Sequence, residues 1–224
     1  MTIAKDASRP ARGRKISAEG VRLGLAPWEL SPEGEIFGLR GYRKIADAAK
    51  AFGFDFRDKT VLDIGSSTGG FTKYALDQGA KKVIAIEKGT NQMMSPLRFD
   101  DRIILHEKTD IFDVKKQDGS IISYAPDIIV ADVSFISLSK VLFHAKKHLS
   151  NKNTNFLVML KPQFEAKPTD LNKGVVKNEK LRRDIIKHFE FWLKQNGFVI
   201  VKKRDNDLKG KTGNTERFYW LKIQ

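Results

Sequence analysis

Short apolar runs alternate along this chain with segments of helical periodicity, and this alternation restricts the possible folds more than any other feature. The apolar runs predict seven strands, at 61–64, 83–86, 103–105, 128–131, 156–160, 198–201 and 217–221. The intervening segments predict helices at 43–52, 71–78, 91–99, 137–149 and 179–195. Alternation at this spacing is typical of a doubly wound α/β sheet with mostly parallel strands. The segment 202–215 has no helical pattern, so the last two strands are expected to form an antiparallel hairpin.

The chain carries a large excess of positive charge. Its 224 residues include 41 Lys and Arg against 27 Asp and Glu, which gives a formal net charge of +14 at pH 7. Such a protein attracts polyanions, nucleic acid above all, although the same excess also serves solubility. The stretch Lys5–Lys15 holds five basic residues and one acidic residue. We therefore expect a basic N-terminal arm and lead-in at 1–37, ahead of one domain at 38–224.

Several function classes are excluded by what the sequence lacks. The longest apolar run, Phe156–Leu160, has five residues, whereas about 20 are needed to cross a bilayer. Cysteine is absent, which excludes a disulfide framework and a thiol nucleophile. The four histidines are scattered and Ser134 is not in a G-x-S-x-G motif, so neither a metal site nor a serine hydrolase is expected. The first fifteen residues hold no apolar signal segment, which favours a cytoplasmic protein with no membrane partner.

A glycine-rich loop follows the first predicted strand, where an open α/β sheet binds its ligands. Its glycine spacing matches neither a Walker A loop nor G-x-G-x-x-G. Glu87 ends the second strand, where a carboxylate would hold a ribose diol, and Asp110 follows the third, where it would meet an adenine amino group. S-adenosyl-L-methionine fits these features best, since it carries adenosine and an amino acid but no phosphate. The expected cofactor-binding residues are Asp63, Gly65, Ser66, Ser67, Thr68, Gly69, Gly70, Phe71, Glu87, Lys88, Asp110 and Asp132.

Several strings of residues carry a family resemblance. Leu62–Phe71 resembles motif I of the FtsJ-like RNA ribose methyltransferases. Ala131–Leu138 (ADVSFISL) and Leu160–Glu165 (LKPQFE), with Gly174–Val176 and Gly213–Glu216, resemble the hemolysin A (TlyA) branch of that superfamily. The similarity extends from about Arg40 to Leu221. It implies a Rossmann-like, S-adenosylmethionine-dependent methyltransferase with a seven-stranded, mostly parallel sheet, which methylates a ribose 2′-hydroxyl of ribosomal RNA.

The resemblance also implies a catalytic tetrad. By motif, Lys44, Asp132, Lys161 and Glu216 match the Lys-Asp-Lys-Glu residues of the superfamily. A ribose 2′-hydroxyl is a weak nucleophile, so it must be aligned with the methyl group while its proton is drawn off. In this interpretation Lys161 removes the proton or polarises the hydroxyl, oriented by Asp132 and Glu216. Lys44 is the neighbouring cation and also steers the ribose or phosphate.

Two groups of basic residues are expected to flank this edge and to contact ribosomal RNA or a ribosomal subunit through phosphates. They are Lys167, Lys173, Lys177, Lys180, Arg182, Arg183 and Lys187, and then Lys202, Lys203, Arg204, Lys209 and Lys211.

The sequence departs from the hemolysin A-like pattern in two places. Proteins of this branch usually carry an N-terminal S4-type RNA-binding domain, and the residues before the match do not resemble one, so we expect this chain to be without it. Glu87 replaces the usual aspartate and keeps the carboxylate. Three other functions remain open: methylation of another RNA, a non-catalytic RNA-binding or ribosome-assembly factor on the same scaffold, and a membrane-lysing protein. The lack of any long apolar stretch disfavours the last.

Overall fold

A computed structural model of the protein describes residues 39–117, 119–208 and 213–224. Within these residues a seven-stranded sheet has the order β3-β2-β1-β4-β5-β7-β6. The strands are β1 (Thr60–Ile64), β2 (Lys82–Ile86), β3 (Ile103–His106), β4 (Ile128–Ala131), β5 (Asn155–Leu160), β6 (Phe198–Asp205) and β7 (Arg217–Ile223). The first five strands pair in parallel, and β7 lies antiparallel to both of its neighbours. The expected mostly parallel sheet with a closing antiparallel pair is confirmed, while the basic arm expected at 1–37 lies outside the described residues.

Helices cover both faces of the sheet. They are α1 (Leu39–Phe52), α2 (Gly70–Asp77), α3 (Ser95–Arg98), α4 (Leu138–His148), α5 (Pro162–Glu165) and α6 (Glu179–Gln195), with 3-10 turns at Ile111–Asp113 and Pro168–Asp170. The apolar face predicted for α1 is buried, since Ile45 and Ala49 are at most 1% exposed, and it packs with α2 on one side of the sheet. The apolar residues of α4 and α6 form the core on the other side.

Two predicted elements differ from the observed ones. The helix expected at 91–99 is reduced to the single turn α3, because Asn91 has a positive φ of 53° and a proline stands in the first turn of α3. Proline is tolerated at that position but not further inside a helix. Strand β6 continues to Asp205 instead of ending at Val201, so Lys202–Arg204 are strand residues paired with β7 and not loop residues.

The sheet order brings several strand ends together. Ile64, the last residue of β1, pairs with Ile86 of β2 and with Ala131 of β4. From β1 and β4 the chain continues towards opposite edges of the sheet, which makes this the point where open α/β sheets bind ligands. The residues that follow the three strands are Gly65, Glu87 and Asp132, and each had been singled out as a site residue from the sequence.

Candidate active site

A cavity of about 590 Å³ opens at these strand ends. Its wall is formed by residues after β1, β2, β3 and β4 and by the beginning of α4. The lining residues are Ile64, Gly65, Ser67, Ile86, Glu87, Lys88, Gln92, Thr109, Asp110, Ile111, Phe112, Asp132, Val133, Ser134, Phe135, Ile136 and Val141. The wall therefore combines apolar side chains with three carboxylates, those of Glu87, Asp110 and Asp132.

The glycine loop is held against β2 by backbone hydrogen bonds. The amides of Gly65 and Ser66 both donate to the carbonyl of Ile86, at 2.9 and 3.2 Å. Gly65 and Gly69 have φ angles of 78° and 91°, in the region that favours glycine. A Cβ on Gly69 would lie 2.3 Å from Cδ2 of Leu97, so this glycine also allows close packing of α3.

Glu87 is fixed by the loop that it faces. Its Oε2 accepts a hydrogen bond from the amide of Ser67 at 2.9 Å, and its Oε1 accepts one from the amide of Gly89 at 2.6 Å. A carboxylate can accept about four hydrogen bonds, so both oxygens keep capacity for a ligand in the cavity. Glu87 is thus a fixed acceptor in the cavity wall.

Asp110 and Lys88 also line the cavity and form an ion pair, with 2.8 Å between Lys88 Nζ and Asp110 Oδ2. The other oxygen, Oδ1, accepts from the amide of Phe112 at 3.1 Å and caps the 3-10 turn. The hydrogen bond from Lys88 is the main cause of the lowered pKa of Asp110. Asp110 is thus an ionised acceptor next to the apolar side chains of Ile111 and Phe112.

Asp63 lies behind the loop and not in the cavity wall. It is fully buried, and Thr72 Oγ1 donates to its Oδ2 at 2.6 Å, while Oδ1 has no hydrogen-bond partner. Burial raises the pKa of Asp63 to about 7. The other predicted cofactor residues outside the cavity wall are Ser66, Thr68, Gly69, Gly70 and Phe71.

The four residues of the expected tetrad form two ion pairs. Lys161 Nζ lies 2.6 Å from Asp132 Oδ1, and Lys44 Nζ lies 2.5 Å from Glu216 Oε2. Asp132 and Lys161 directly follow β4 and β5, whereas Glu216 directly precedes β7. Leu160 pairs with Arg217, so the antiparallel register sets the neighbouring positions 161 and 216 side by side.

The pairing differs from the expected one in one respect. Lys161 contacts Asp132, as expected, but its second hydrogen bond goes to Ser134 Oγ at 2.8 Å. The carboxylate of Glu216 is instead paired with Lys44, and the two side chains are only 3% and 7% exposed. Glu216 therefore neutralises a buried lysine.

Sequence reasoning missed three residues near this centre. Ser134, which the sequence pattern excludes as a hydrolase nucleophile and to which it assigns no other role, accepts a hydrogen bond from Lys161 at 2.8 Å. Phe135 has a positive φ of 64° and is 91% exposed. The centroid of its ring lies 5.1 Å from the centroid of the Phe164 ring. Glu165 accepts hydrogen bonds from Ser137 Oγ and from the amide of Leu138, both at 2.7 Å, and so joins the loops after β4 and β5. All three lie in the strings that carried the family resemblance, which was the signal available.

The first group of basic residues is largely exposed. The exception is Arg182, which is buried and lies 2.8 Å from Asp205. The exposed members are Lys167, Lys173, Lys177, Lys180, Arg183 and Lys187.

The described members of the second group contact other groups of the protein. Lys202 Nζ donates to the carbonyl of Phe52, Lys203 pairs with Glu190 and Arg204 pairs with Asp207. Because these residues belong to β6, their side chains reach neighbouring elements of the fold. Lys209 and Lys211 lie outside the described residues.

Two further properties concern only the part of the chain that the structure describes. No helix there is long and apolar enough to span a bilayer. No group of three or more His, Asp or Glu side chains converges there in a way that could hold a metal ion.

Comparison with known proteins identifies the family. Residues 37–223 match the family model of the FtsJ-like methyltransferases. Hemolysin A of Brachyspira hyodysenteriae is 37% identical over 178 residues, which cover 79% of this chain and 73% of that protein. The 23S rRNA (cytidine-2′-O)-methyltransferase TlyA of Campylobacter jejuni is 35% identical over 207 residues, covering 92% and 76%.

The fold is also shared with a solved structure. The crystal structure of a candidate hemolysin from Lactococcus lactis has 34% identity and a TM-score of 0.77, and the match covers 83% of this chain and 88% of that one. The expected Rossmann-like methyltransferase fold and the resemblance to the hemolysin A branch are both confirmed. This chain belongs to the FtsJ-like methyltransferase family.

Proposed function

We propose that this protein is an S-adenosyl-L-methionine-dependent RNA methyltransferase that methylates a ribose 2′-hydroxyl of ribosomal RNA, with residues 38–224 as its methyltransferase domain. One observation carries the proposal. Asp132 lines the cavity at the strand ends and at the same time pairs with Lys161 at 2.6 Å. A group bound in the cavity would therefore lie beside the lysine that the family uses on its substrate.

The cavity suits the proposed cofactor in size and chemistry. Its volume of about 590 Å³ lies within the usual range of ligand pockets, ~300–1,000 Å³. Glu87 would hold the ribose diol, and Asp110 with the neighbouring apolar side chains would hold the adenine. Gly65 lets the loop after β1 pack closely against the end of β4, since a Cβ there would lie 3.1 Å from the Asp132 carbonyl oxygen. The bound cofactor would supply a methyl group on a positively charged sulfur.

The chain's own residues account for the handling of the hydroxyl. Asp132 and Ser134 fix the direction of the Lys161 ammonium group through contacts of 2.6 and 2.8 Å. A 2′-oxygen placed against Lys161 would gain the methyl group as the carbon–sulfur bond breaks, and it would lose its proton. As an ammonium group Lys161 donates to the oxygen and orients it, and only as the uncharged amine could it accept that proton. Lys44 belongs to α1, and its positive charge is balanced by the carboxylate of Glu216, which stands beside Lys161 in the β5–β7 register.

The relatives support ribosomal RNA as the substrate. The C. jejuni relative is named as a 23S rRNA (cytidine-2′-O)-methyltransferase. Exposed cations after β5 and on α6, among them Lys173, Lys177 and Lys180, offer contacts to phosphates. Such contacts position an RNA without reading its sequence. A substrate of this kind is also consistent with a cytoplasmic protein.

The test is methyl transfer from radiolabelled S-adenosylmethionine to unmodified ribosomal subunits and to naked ribosomal RNA. We expect label that survives alkali in a ribose-protected dinucleotide. Lys161→Ala should abolish transfer while cofactor binding, measured by calorimetry, is retained. Lys50→Ala, which changes an exposed lysine at the end of α1, is the matched control and should leave the rate unchanged.

Two results would contradict the proposal. Full transfer by Lys161→Ala would show that this lysine is not needed for the chemistry. RNA binding by the wild type without any transfer to ribosomal or other RNA would favour the non-catalytic binding or assembly factor.

A further inference from the structure

A second cavity, of about 530 Å³, lies on the side of the sheet covered by α4 and α6. Phe112 lines both this cleft and the cofactor cavity, so the two share a wall at the 3-10 turn Ile111–Asp113. The tetrad residues are not among its lining residues. The cleft is therefore a separate site that begins where the cofactor cavity ends.

Aromatic rings form much of the cleft surface. Phe143 is 53% exposed there, beside Phe112 and Trp192. The Trp192 ring stacks on Phe189, with 6.2 Å between centroids and 16° between planes. Trp192 also stacks on Phe198, with 6.1 Å between centroids and 30° between planes, so its ring is fixed as part of the cleft wall. The exposed ring of Phe143 is therefore the one on which a flat ligand would stack.

The charged side chains that line the cleft are all basic, and its other polar residues include Ser139 and Asn196. Lys140, Lys147 and His148 contribute to the cleft, and none of its lining residues is acidic. In the described part of the chain the ammonium groups of Lys140 and Lys147 have no ion-pair or hydrogen-bond partner, and both residues are exposed. Lys140, Phe143 and Lys147 stand at i, i+3 and i+7 of α4, the spacing of one helix face. They form a stripe in which an aromatic ring lies between two cations.

We propose that this cleft binds a single-stranded segment of the substrate RNA, with a base on its aromatic rings and phosphates at Lys140 and Lys147. The inference rests on the proposed function. Stacking rings combined with a positively charged groove are what sequence-tolerant binding of single strands requires. The chain's own segment Lys5–Lys15 is also basic, so the positive charge of the cleft would repel it. This disfavours that segment as an alternative occupant of the cleft.

The position of α4 supports a continuous RNA path. The helix begins at Leu138, directly after the loop that carries Asp132 and Ser134. An RNA strand that leaves the tetrad can therefore follow α4 from Lys140 towards Lys147, over about 10 Å of helix axis. The cleft would hold nucleotides next to the modified one without taking part in the reaction.

The test compares the triple variant Lys140→Ala/Phe143→Ala/Lys147→Ala with a control, Lys81→Ala/Lys82→Ala/Phe99→Ala. The control removes the same residue types from exposed positions of the β2–β3 region, outside both cavities. The probe is a fluorescent oligouridine. We expect its Kd to rise by about tenfold or more, and the salt slope, log Kobs against log salt, to become shallower by about 1.4. With ribosomal subunits the KM should rise at constant kcat, and the control should match the wild type.

Several results would overturn the proposal. An unchanged Kd and salt slope in the triple variant, with normal methylation by the wild type, would reject the cleft and leave the proposed function intact. A wild type that neither binds nor methylates RNA would reject both. A dimer that dissociates in the triple variant without a change in Kd would make the cleft an interface between copies. If the triple variant fails to fold by circular dichroism, Lys140→Glu/Lys147→Glu, which keeps Phe143, is measured instead.

Discussion

Replacing Lys44 by Met, or Glu216 by Leu, should destabilise the protein far more than replacing both. The two side chains are 7% and 3% exposed, and their charged atoms lie 2.5 Å apart. At an effective dielectric constant of about 20, opposite charges at that distance attract by about 7 kcal/mol. Removing both ions from water costs several kcal/mol each, so the intact pair contributes little net stability. Removing one partner leaves a buried charge without compensation, at a cost of about 3–5 kcal/mol.

Urea denaturation followed by circular dichroism measures this directly. Each single variant should lose about 3–5 kcal/mol, or roughly 10 °C in Tm. Lys44→Met/Glu216→Leu should come within about 2 kcal/mol of the wild type. The double-mutant cycle would then give a coupling energy of at least about 4 kcal/mol, more than the ~0.5–3 kcal/mol usual for residues in contact, because both charges are buried.

The same variants separate folding from catalysis. We expect the double variant to fold like the wild type and still to methylate poorly, because it lacks the ion pair whose carboxylate stands beside position 161 in the β5–β7 register. The reasoning is wrong if the destabilisation of the double variant equals the sum of the two single losses. That result would mean that Lys44 and Glu216 are each solvated or paired elsewhere.

Three further predictions concern the neighbouring residues. Gly69→Ala should cost about 1–2 kcal/mol and weaken cofactor binding in calorimetry, because φ is 91° and the new Cβ would meet Leu97. The pKa of Asp63 is raised to about 7 from 3.8, so the folded state binds more protons between these values and stability should fall as pH rises through this window. The fall amounts to about 4 kcal/mol at most, and Asp63→Asn should remove it in urea titrations from pH 4 to 8. Ser134→Ala, which deletes a 2.8 Å contact to Lys161, should lower kcat of methyl transfer about tenfold with KM unchanged; an unchanged kcat would mean that Asp132 alone orients the lysine.

The parallel half of the fold follows from local sequence patterns. A strand buried on both faces reads as a nearly continuous apolar run, so Phe156–Leu160 could be recognised without knowledge of its neighbours. Val61–Ile64 could be recognised in the same way despite the one acid in it, Asp63, which is buried and accepts a hydrogen bond from Thr72. The end of β6 could not be recognised in this way. Lys202 and Lys203 have the polar character of a loop, and they remain in a strand because β7 pairs with them and because Phe52 and Glu190 bind their ammonium groups.

The sequence predicts which residues make up the candidate site, but it does not predict which carboxylate pairs with which lysine. Motif strings identified Lys44, Asp132, Lys161 and Glu216, yet motif order does not say which carboxylate contacts which lysine. That choice depends on the direction of α1 relative to the sheet, which is set by tertiary packing. One local feature of that packing is Gly41, where a Cβ would lie 3.5 Å from Gly70 Cα.

The position of β7 explains why these distant residues meet. Glu216 stands beside Lys161 because β7 is inserted between β5 and β6 and runs antiparallel to β5, which brings its first residue to the edge where β5 ends. If the strand order were β5-β6-β7, Glu216 would lie one strand spacing, about 4.8 Å, further from Lys161. Lys44 would then have no carboxylate with which to pair. The antiparallel insertion is therefore required by the site as well as by the sheet. A variant that weakened only the β5–β7 pairing should lose methyl transfer before it loses the parallel half of the fold.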